Sequence, residues 1–290
     1  MASIPDPLTI LITGASAGIG QVTALHLARV RPGCRLILAA RGAAKLEEVA
    51  TAVKAVGCEV LAVPADVSSP ASLRQLVDRS LAHFGRIDVL VNNAGIECFA
   101  ELEALSEEKI QSVIGTNLTG AILLTRLVLP EMKQRRFGRI INMASTAGKY
   151  GPAWGAVYGA TKAGLIAFTQ SLRGELRRSG IGCTAICPGF AVDGGIYDEI
   201  VRATGRRTPP LLGGTTAAKV AVAVDKAIRR SPPELILNFP ALRPVFVLRE
   251  LWPRLGEIIV HATTLKYLRR AATSGQHSSP RVSVESSGER

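Results

Sequence analysis

Aromatic side chains are scarce in this chain: Phe, Trp and Tyr make up 4% of its 290 residues, against 47% apolar residues overall. A core built with so few rings has to be aliphatic, and short Val, Ile, Leu and Ala runs suit parallel strands buried on both faces. No continuous apolar run approaches the roughly 20 residues of a membrane span. The N-terminus also lacks a basic stretch followed by an apolar one, so the expected location is the cytoplasm. Five cysteines, Cys34, Cys58, Cys98, Cys183 and Cys187, are odd in number and form no CxxC pair. They read as core residues, and with no histidine near Cys183 and Cys187 in sequence, no metal site is expected. No basic stretch is interleaved with aromatics, which argues against a nucleic-acid partner despite a net charge of +12.

That charge is unevenly placed. Residues 1–200 hold 20 basic and 17 acidic side chains, and residues 201–290 hold 15 and 6, so the two parts carry +3 and +9. Apolar runs near 8–12, 34–40, 58–63, 87–91, 138–143, 181–186 and 234–238 alternate with helical patterns. The alternation predicts an α/β fold: a doubly wound, Rossmann-type parallel sheet of about seven strands with helices on both faces. One domain is expected over residues 1–240, followed by a C-terminal helical extension over 241–272. That extension mixes Trp252 and aliphatic residues with six Arg and Lys, and Pro244 and Pro253 divide it into short pieces. A basic amphipathic segment of this kind lies on an anionic membrane, covers a cleft, or packs on its own domain or a partner subunit. Residues 273–290 are too poor in apolar side chains to fold and are expected to be disordered.

Two constellations carry chemistry. In Tyr158-Gly-Ala-Thr-Lys162, a helix over Trp154 to Ser179 places the phenol and the ammonium one turn apart on one face. A free tyrosine titrates near pH ~10, and a neighbouring cation favours its phenolate, which makes the pair a plausible acid-base unit. Plain helix decoration is the alternative for a Tyr and a Lys at this spacing. Ser145, thirteen residues upstream, adds a hydroxyl. The other constellation, Thr13-Gly14-Ala-Ser16-Ala-Gly18-Ile19-Gly20, stands between an apolar run and a helical pattern. Its glycines allow a tight turn that brings free amides of the helix N-terminus to a pyrophosphate. Its spacing is GxxxGxG rather than GxGxxG, and an ordinary strand-to-helix turn is the alternative.

These two features, with Asp66-Val67, Asn92-Asn93-Ala94-Gly95, Asn117 and Pro188-Gly189 in that order, resemble the classical short-chain dehydrogenase/reductase family from about residue 8 to about residue 239. The resemblance implies a nicotinamide dinucleotide cofactor. NAD-preferring members carry an acid at the position of Ala40; here Ala40-Arg41 removes that repulsion and offers a guanidinium to a 2′-phosphate, so NADP(H) is expected over NAD(H). Gly14, Ser16, Gly18, Ile19 and Gly20 would cradle the phosphates, with helix capping as the alternative task of Ser16. Asp66 and Val67 would hold the adenine, unless Asp66 caps the following helix. Asn93, Ala94 and Gly95 would line the adenosine, with Asn92 tying strands together. Pro188, Gly189 and the Val192 backbone would close on the nicotinamide. Asp193 stands where the family usually has a threonine and is not assigned.

The resemblance also implies roles for Asn117, Ser145, Tyr158 and Lys162. Tyr158 would exchange a proton with the substrate oxygen and Ser145 would hydrogen-bond it. Lys162 would lower the tyrosine pKa and bind the nicotinamide ribose, and Asn117 would hold a water beside it. A lid over about 190–214, with Gly194-Gly195 and Gly213-Gly214 as hinges, would choose the substrate together with Ile96–Phe99 and Lys149–Trp154. The expected partners are a small carbonyl or alcohol, apolar in character, and a second copy in a homodimer or homotetramer through the helices over Ser106–Arg136 and Trp154–Ser179. Two other functions stay open: a membrane-peripheral lipid or steroid reductase docking through 241–272, and a regulatory protein that binds NADP(H) without turnover.

Overall fold

A computed structural model describes residues 4–191 and 213–260, with 265, 268 and 269. Val192, Asp193, Gly194-Gly195, most of the expected lid, the rest of the extension and the 273–290 tail lie outside the described residues.

Seven parallel strands form one sheet: β1 (Thr9–Thr13), β2 (Arg35–Ala40), β3 (Glu59–Pro64), β4 (Val89–Asn92), β5 (Gly138–Met143), β6 (Ile181–Pro188) and β7 (Glu234–Leu237). Their order is β3-β2-β1-β4-β5-β6-β7, with Leu11 level with Ile37 on one side and Leu90 on the other. Successive side chains of a strand point to opposite faces. Ile10 and Ile12 therefore join Leu36, Leu38, Val89 and Val91 in one core, while Leu11 joins Ile37, Leu90 and Ile140 in the other. Burying each such side chain stabilises by roughly 1.5–3 kcal/mol, so both faces must be covered. Helices α1 (Gly18–Val30), α2 (Ala43–Lys54) and α8 (Ala217–Arg230) supply buried residues to the first core. Helices α3 (Pro70–Phe84), α5 (Gly120–Arg135) and α7 (Ala156–Glu175) supply the second. All five cysteines are buried.

Strand order reverses direction between β1 and β4, which opens a crevice beyond their carboxyl ends. The opposite edge is fastened by a charge cluster. Asp88, fully buried, accepts from the Thr9 amide at 3.0 Å and from Arg86 at 2.6 Å and Arg135 at 3.2 Å.

The single helix expected over Ser106–Arg136 is two helices in line. Ser106 caps α4 (Glu107–Ile114) by accepting from Lys109 N, a π-helical turn spans Gly115–Thr119, and α5 continues from Gly120. By length and composition Glu107–Arg135 is apolar enough to cross a membrane, although no continuous apolar run within it approaches 20 residues. Glycine, threonine and asparagine lengthen the window without adding charge. The face carrying Val113, Asn117, Leu124, Val128 and Met132 is buried in the domain.

The extension begins as expected, in two short helices broken near Pro253: α9 (Arg243–Leu251) and a second over 253–260. Phe246 is buried and stacks on Tyr150 of the one-turn helix α6 (Ala147–Tyr150), with ring centroids 6.4 Å apart. Arg249 donates to the Lys149 carbonyl.

Candidate active site

The crevice beyond β1 and β4 is a cleft of about 630 Å³ whose walls carry every described residue expected to touch cofactor or substrate oxygen, except Gly20 and Asn117, which stand behind it. Gly14 leaves β1 with φ 65°, and a methyl there would lie 2.9 Å from Ala94 Cα. A side chain on Gly20 would run into the Gly14 carbonyl. The close approach is held by hydrogen bonds. Thr13 Oγ1 accepts from the amides of Asn93 and Ala94, each at 3.0 Å, and Asn93 Nδ2 donates to the Thr13 carbonyl at 2.9 Å. Thr13 thus joins the glycine turn to the asparagine loop, a role its place at the end of a strand did not reveal. Ser16 lines the cleft but caps nothing: α1 begins after Ala17 with no side-chain cap. Its hydroxyl is left to the cleft.

At the far end, β2 delivers a buried Ala40 and an exposed Arg41. Asp66 follows β3, and its Oδ1 accepts from Ser68 N at 2.9 Å and Ser68 Oγ at 2.7 Å. Those bonds, with Arg41 nearby, hold its carboxyl below the usual carboxylate range. Asp66 does not cap α3; Ser69 does, accepting from Ser72 N. Val67 lies against Gly120, whose missing side chain admits the Val67 carbonyl.

At the near end, β5 runs out into Ser145. Its Oγ accepts from Ala147 N at 3.1 Å and donates to the Pro188 carbonyl at 3.5 Å, a long bond from which the proton is readily turned to another acceptor. Helix α7 begins at Ala156, two residues later than expected, and presents Tyr158 and Lys162 to the same wall. Lys162 Nζ donates to the Met143 carbonyl at 2.9 Å and lies 5.7 Å from the Tyr158 ring centroid. Phe99 packs on Tyr158 from the other side, centroids 6.0 Å apart.

The electrostatics differ from the expectation. Burial pushes the Tyr158 phenol well above its ordinary pKa, the Glu97 carboxylate adds to the rise, and the hydrogen bond with Ser145 opposes it. Burial in turn lowers Lys162 from 10.5 to about 8, with Glu97 pulling it back up. Tyr150 is raised to about 12 by burial and by Glu97. Glu97 therefore shapes the proton affinity of three neighbours. It fell inside the stretch expected to meet substrate, but nothing in Ile96–Phe99 as a sequence marked it out. Lys109 of α4 and Thr116 of the π-helical turn also line the cleft and were missed, because Asn117 alone was singled out in the stretch over Ser106–Arg136.

Asn117 stands in the π-helical turn, fully buried. Its Oδ1 accepts from Ile96 N at 2.8 Å, and its Nδ2 donates to the Ile96 carbonyl at 2.9 Å and to Thr161 Oγ1 at 3.3 Å. The side-chain amide is spent on protein partners, which leaves main-chain groups of the turn for any water. A methyl on Gly95 would stand 3.3 Å from Asn117 Oδ1 and 3.4 Å from Lys162 Nζ, so the two side chains meet over Gly95. Asn92 ties strands as expected, donating to Asn142 Oδ1 at 2.8 Å and to Thr125 Oγ1 at 3.0 Å.

Pro188 and Gly189 close the cleft beyond β6, and Val192 lies outside the described residues. Both described roots of the lid are fastened. Thr215 N donates to the Phe190 carbonyl at 2.8 Å, and Gly214 and Phe239 exchange backbone bonds at 2.9 and 3.2 Å. The hinge expected at Gly213-Gly214 is therefore pinned at Gly214.

A sequence model of the short chain dehydrogenases matches residues 8–200. Ketoacyl reductase HetN of Nostoc sp. is 41% identical over 79% of this chain and 78% of its own length. Among solved structures, an actinorhodin polyketide ketoreductase variant with NADPH superposes with a TM-score of 0.70 at 31% identity, over 82% of this chain and 97% of that one. NAD+-bound xylitol dehydrogenase superposes with a TM-score of 0.71 at 27% identity, over 80% and 98%. The glycine turn, the asparagine loop and the Ser145, Tyr158 and Lys162 wall all fall in the matched region, and the chain belongs to the short chain dehydrogenase family.

Proposed function

We propose that this chain is an NADP(H)-dependent oxidoreductase that interconverts a carbonyl and an alcohol on an apolar substrate, with reduction as its working direction. The observation that carries the reading is a single cleft with Ser145, Tyr158 and Lys162 on one wall and an Arg41 unopposed by any acid at position 40 at its far end. The residues fit the cofactor. Gly14, Gly18 and Gly20 keep the turn free of side chains, and Ser16 and Arg41 offer donors to phosphates. Asp66, Val67, Asn93, Ala94 and Gly95 would hold the adenosine end, and Pro188 and Gly189 would border the nicotinamide; the expected contact from Val192 lies outside the described residues. Relatives bound to NAD+ and to NADPH share the fold, so the preference rests on Ala40 and Arg41.

Bound there, the nicotinamide supplies or accepts the hydride at the substrate carbon. Ser145 Oγ turns its proton from the distant Pro188 carbonyl to the substrate oxygen and stabilises the charge that develops on it. Tyr158, held protonated by burial, donates its phenolic proton to that oxygen in reduction and takes it back in oxidation. The Lys162 ammonium, positioned by the Met143 carbonyl, compensates the phenolate and reaches the ribose. The Asn117 turn holds Ile96 and Thr161, and Thr161 in turn donates to the Tyr158 carbonyl at 2.7 Å. Phe99, Ile96 and Phe190 give the substrate end apolar walls, and the similarity to a ketoacyl reductase makes 3-oxoacyl thioesters the first carbonyl class to offer.

The test is NADPH oxidation by the purified protein across 3-oxoacyl thioesters and ketones of graded length and ring number, with NADH in parallel. Activity that prefers NADPH and falls by roughly 10²–10⁴ in Tyr158→Phe is expected. Cofactor binding without turnover on any carbonyl would overturn the reading in favour of a regulatory protein.

A further inference from the structure

Helix α9 and the stretch over 253–260 have two dissimilar sides. The inner side is seated on the domain: Phe246 stacks on Tyr150, Arg249 donates to the Lys149 carbonyl, and Gly256 is buried with Arg249 packed where its side chain would be. The outer side holds Val247, Leu251, Trp252, Leu255 and Ile258, exposed by 54, 63, 58, 46 and 64%. Scattered apolar residues at a surface call for no explanation. These five fall within twelve consecutive residues: Val247 and Leu251 share one face of α9, Leu255 and Ile258 share one face of the stretch over 253–260, and Trp252 stands at the break between them. No element among the described residues covers them.

Charge separates the occupants open to such a surface. Residues 241–272 carry six Arg and Lys, namely Arg243, Arg249, Arg254, Lys266, Arg269 and Arg270, against Glu250 and Glu257. Arg243 and Arg254 are exposed beside these apolar residues, as are both glutamates. The exposed charges of the described face balance, and the excess belongs to residues 261–272, which follow it in sequence with Lys266, Arg269 and Arg270 and no acid. In a chain of net charge +12, a second copy would meet like charge, whereas a surface of acidic lipid would neutralise it. An exposed tryptophan among aliphatic residues, with arginine at the margins, is the composition of a helix that lies in the plane of a bilayer interface.

The geometry points to a peripheral membrane-docking face formed by α9 and 253–260, with an anionic lipid surface as its partner. Its position gives the docking a use. Tyr150, which takes the inner side of α9 through Phe246, also lines the catalytic cleft, so the docked enzyme would hold that cleft within one helix of the lipid. A membrane-dissolved acyl or polycyclic carbonyl can then enter without crossing water.

The experiment is co-sedimentation of the full-length protein with vesicles of equal phosphatidylglycerol and phosphatidylcholine, and with phosphatidylcholine alone. The double variant Leu251→Ser/Ile258→Ser runs beside the wild type. Both substitutions are at exposed positions outside the catalytic cleft, so melting temperature and turnover of a water-soluble carbonyl are expected to be unchanged. Binding to the anionic vesicles, weakened by salt and at least ~10-fold weaker in the variant, is expected. No binding to anionic vesicles, equal binding to both vesicle types, or equal binding by wild type and variant would overturn the proposal. A wild-type self-association that the variant loses in sedimentation equilibrium would overturn it in favour of a subunit contact. Since vesicle binding needs no turnover, its outcome is separable from that of the proposed oxidoreductase activity.

Discussion

The Lys162 ammonium is anchored to the carbonyl of Met143, the last residue of β5, at 2.9 Å, and both residues are buried. This bond ties the acid-base helix to the sheet and fixes the charge beside Tyr158, but burial sets a cost on keeping that charge. With Lys162 lowered to about 8 in the folded protein, the unfolded chain holds the proton more tightly between pH 8 and about 10.5. Stability from this group therefore rises as pH rises through that window, and below it the folded state carries the full penalty.

Removing the charge is expected to stabilise the cofactor-free protein while abolishing turnover. In Lys162→Met the relieved penalty, on the order of 3 kcal/mol at pH 7, exceeds the loss of roughly 1 kcal/mol for the hydrogen bond to Met143. Thermal unfolding of wild type and variant at pH 7 and pH 10 checks this. The stabilisation should shrink at the higher pH, where Lys162 of the wild type is already neutral when folded.

The same residue should set the alkaline limit of reduction. Tyr158 is raised by burial and stays protonated over the working range, so carbonyl reduction should decline with an apparent pKa near 8 as Lys162 loses its proton. Alcohol oxidation, which needs the phenolate, should instead keep rising with pH. Initial rates in both directions from pH 6 to 10 would decide between this assignment and control by Tyr158.

Arg41 is expected to discriminate between the cofactors. Replacing it with alanine removes a charge-assisted bond of about 1.5–3 kcal/mol to a 2′-phosphate, so kcat/KM for NADPH should fall roughly 10- to 150-fold with that for NADH little changed. Ala40→Asp combined with the loss of Arg41 should reverse the preference. Parallel kinetics with both cofactors measure it.

At the opposite end of the sheet, Asp88→Ala should destabilise the fold without touching the chemistry. It strips the Thr9 amide and two arginines of their buried acceptor, a loss of about 3–5 kcal/mol. Denaturant unfolding reads the loss, and kcat per folded molecule should be unaltered.

Much of this was legible because parallel strands buried on both faces leave uninterrupted aliphatic runs: Leu36 to Ala40 and Val89 to Val91 stand close to where their composition put them. The glycine turn and the Tyr158–Lys162 pair were legible for a different reason, since each needs particular residues at fixed spacing. What escaped depended on distant partners. Asn117 was expected to hold a water, and the partner that takes its side-chain amide, the Ile96 backbone, stands 21 residues away in sequence. Glu97 gave no sign, because its influence on Tyr150, Tyr158 and Lys162 comes from three segments meeting around one cleft. The expectation that Lys162 would depress Tyr158 weighed charge and left out burial, and in the cofactor-free cleft burial is the larger effect.

The paired backbone at Ala191 and Thr215, together with Gly214 and Phe239, means that the chain leaves and rejoins the rim of the sheet at neighbouring points. A loop whose ends are already brought together adds little closure entropy when its length changes. The segment between those roots is in that sense an exchangeable cassette. Sequences of other lengths grafted there would leave the sheet rim and the wall of Ser145, Tyr158 and Lys162 in place.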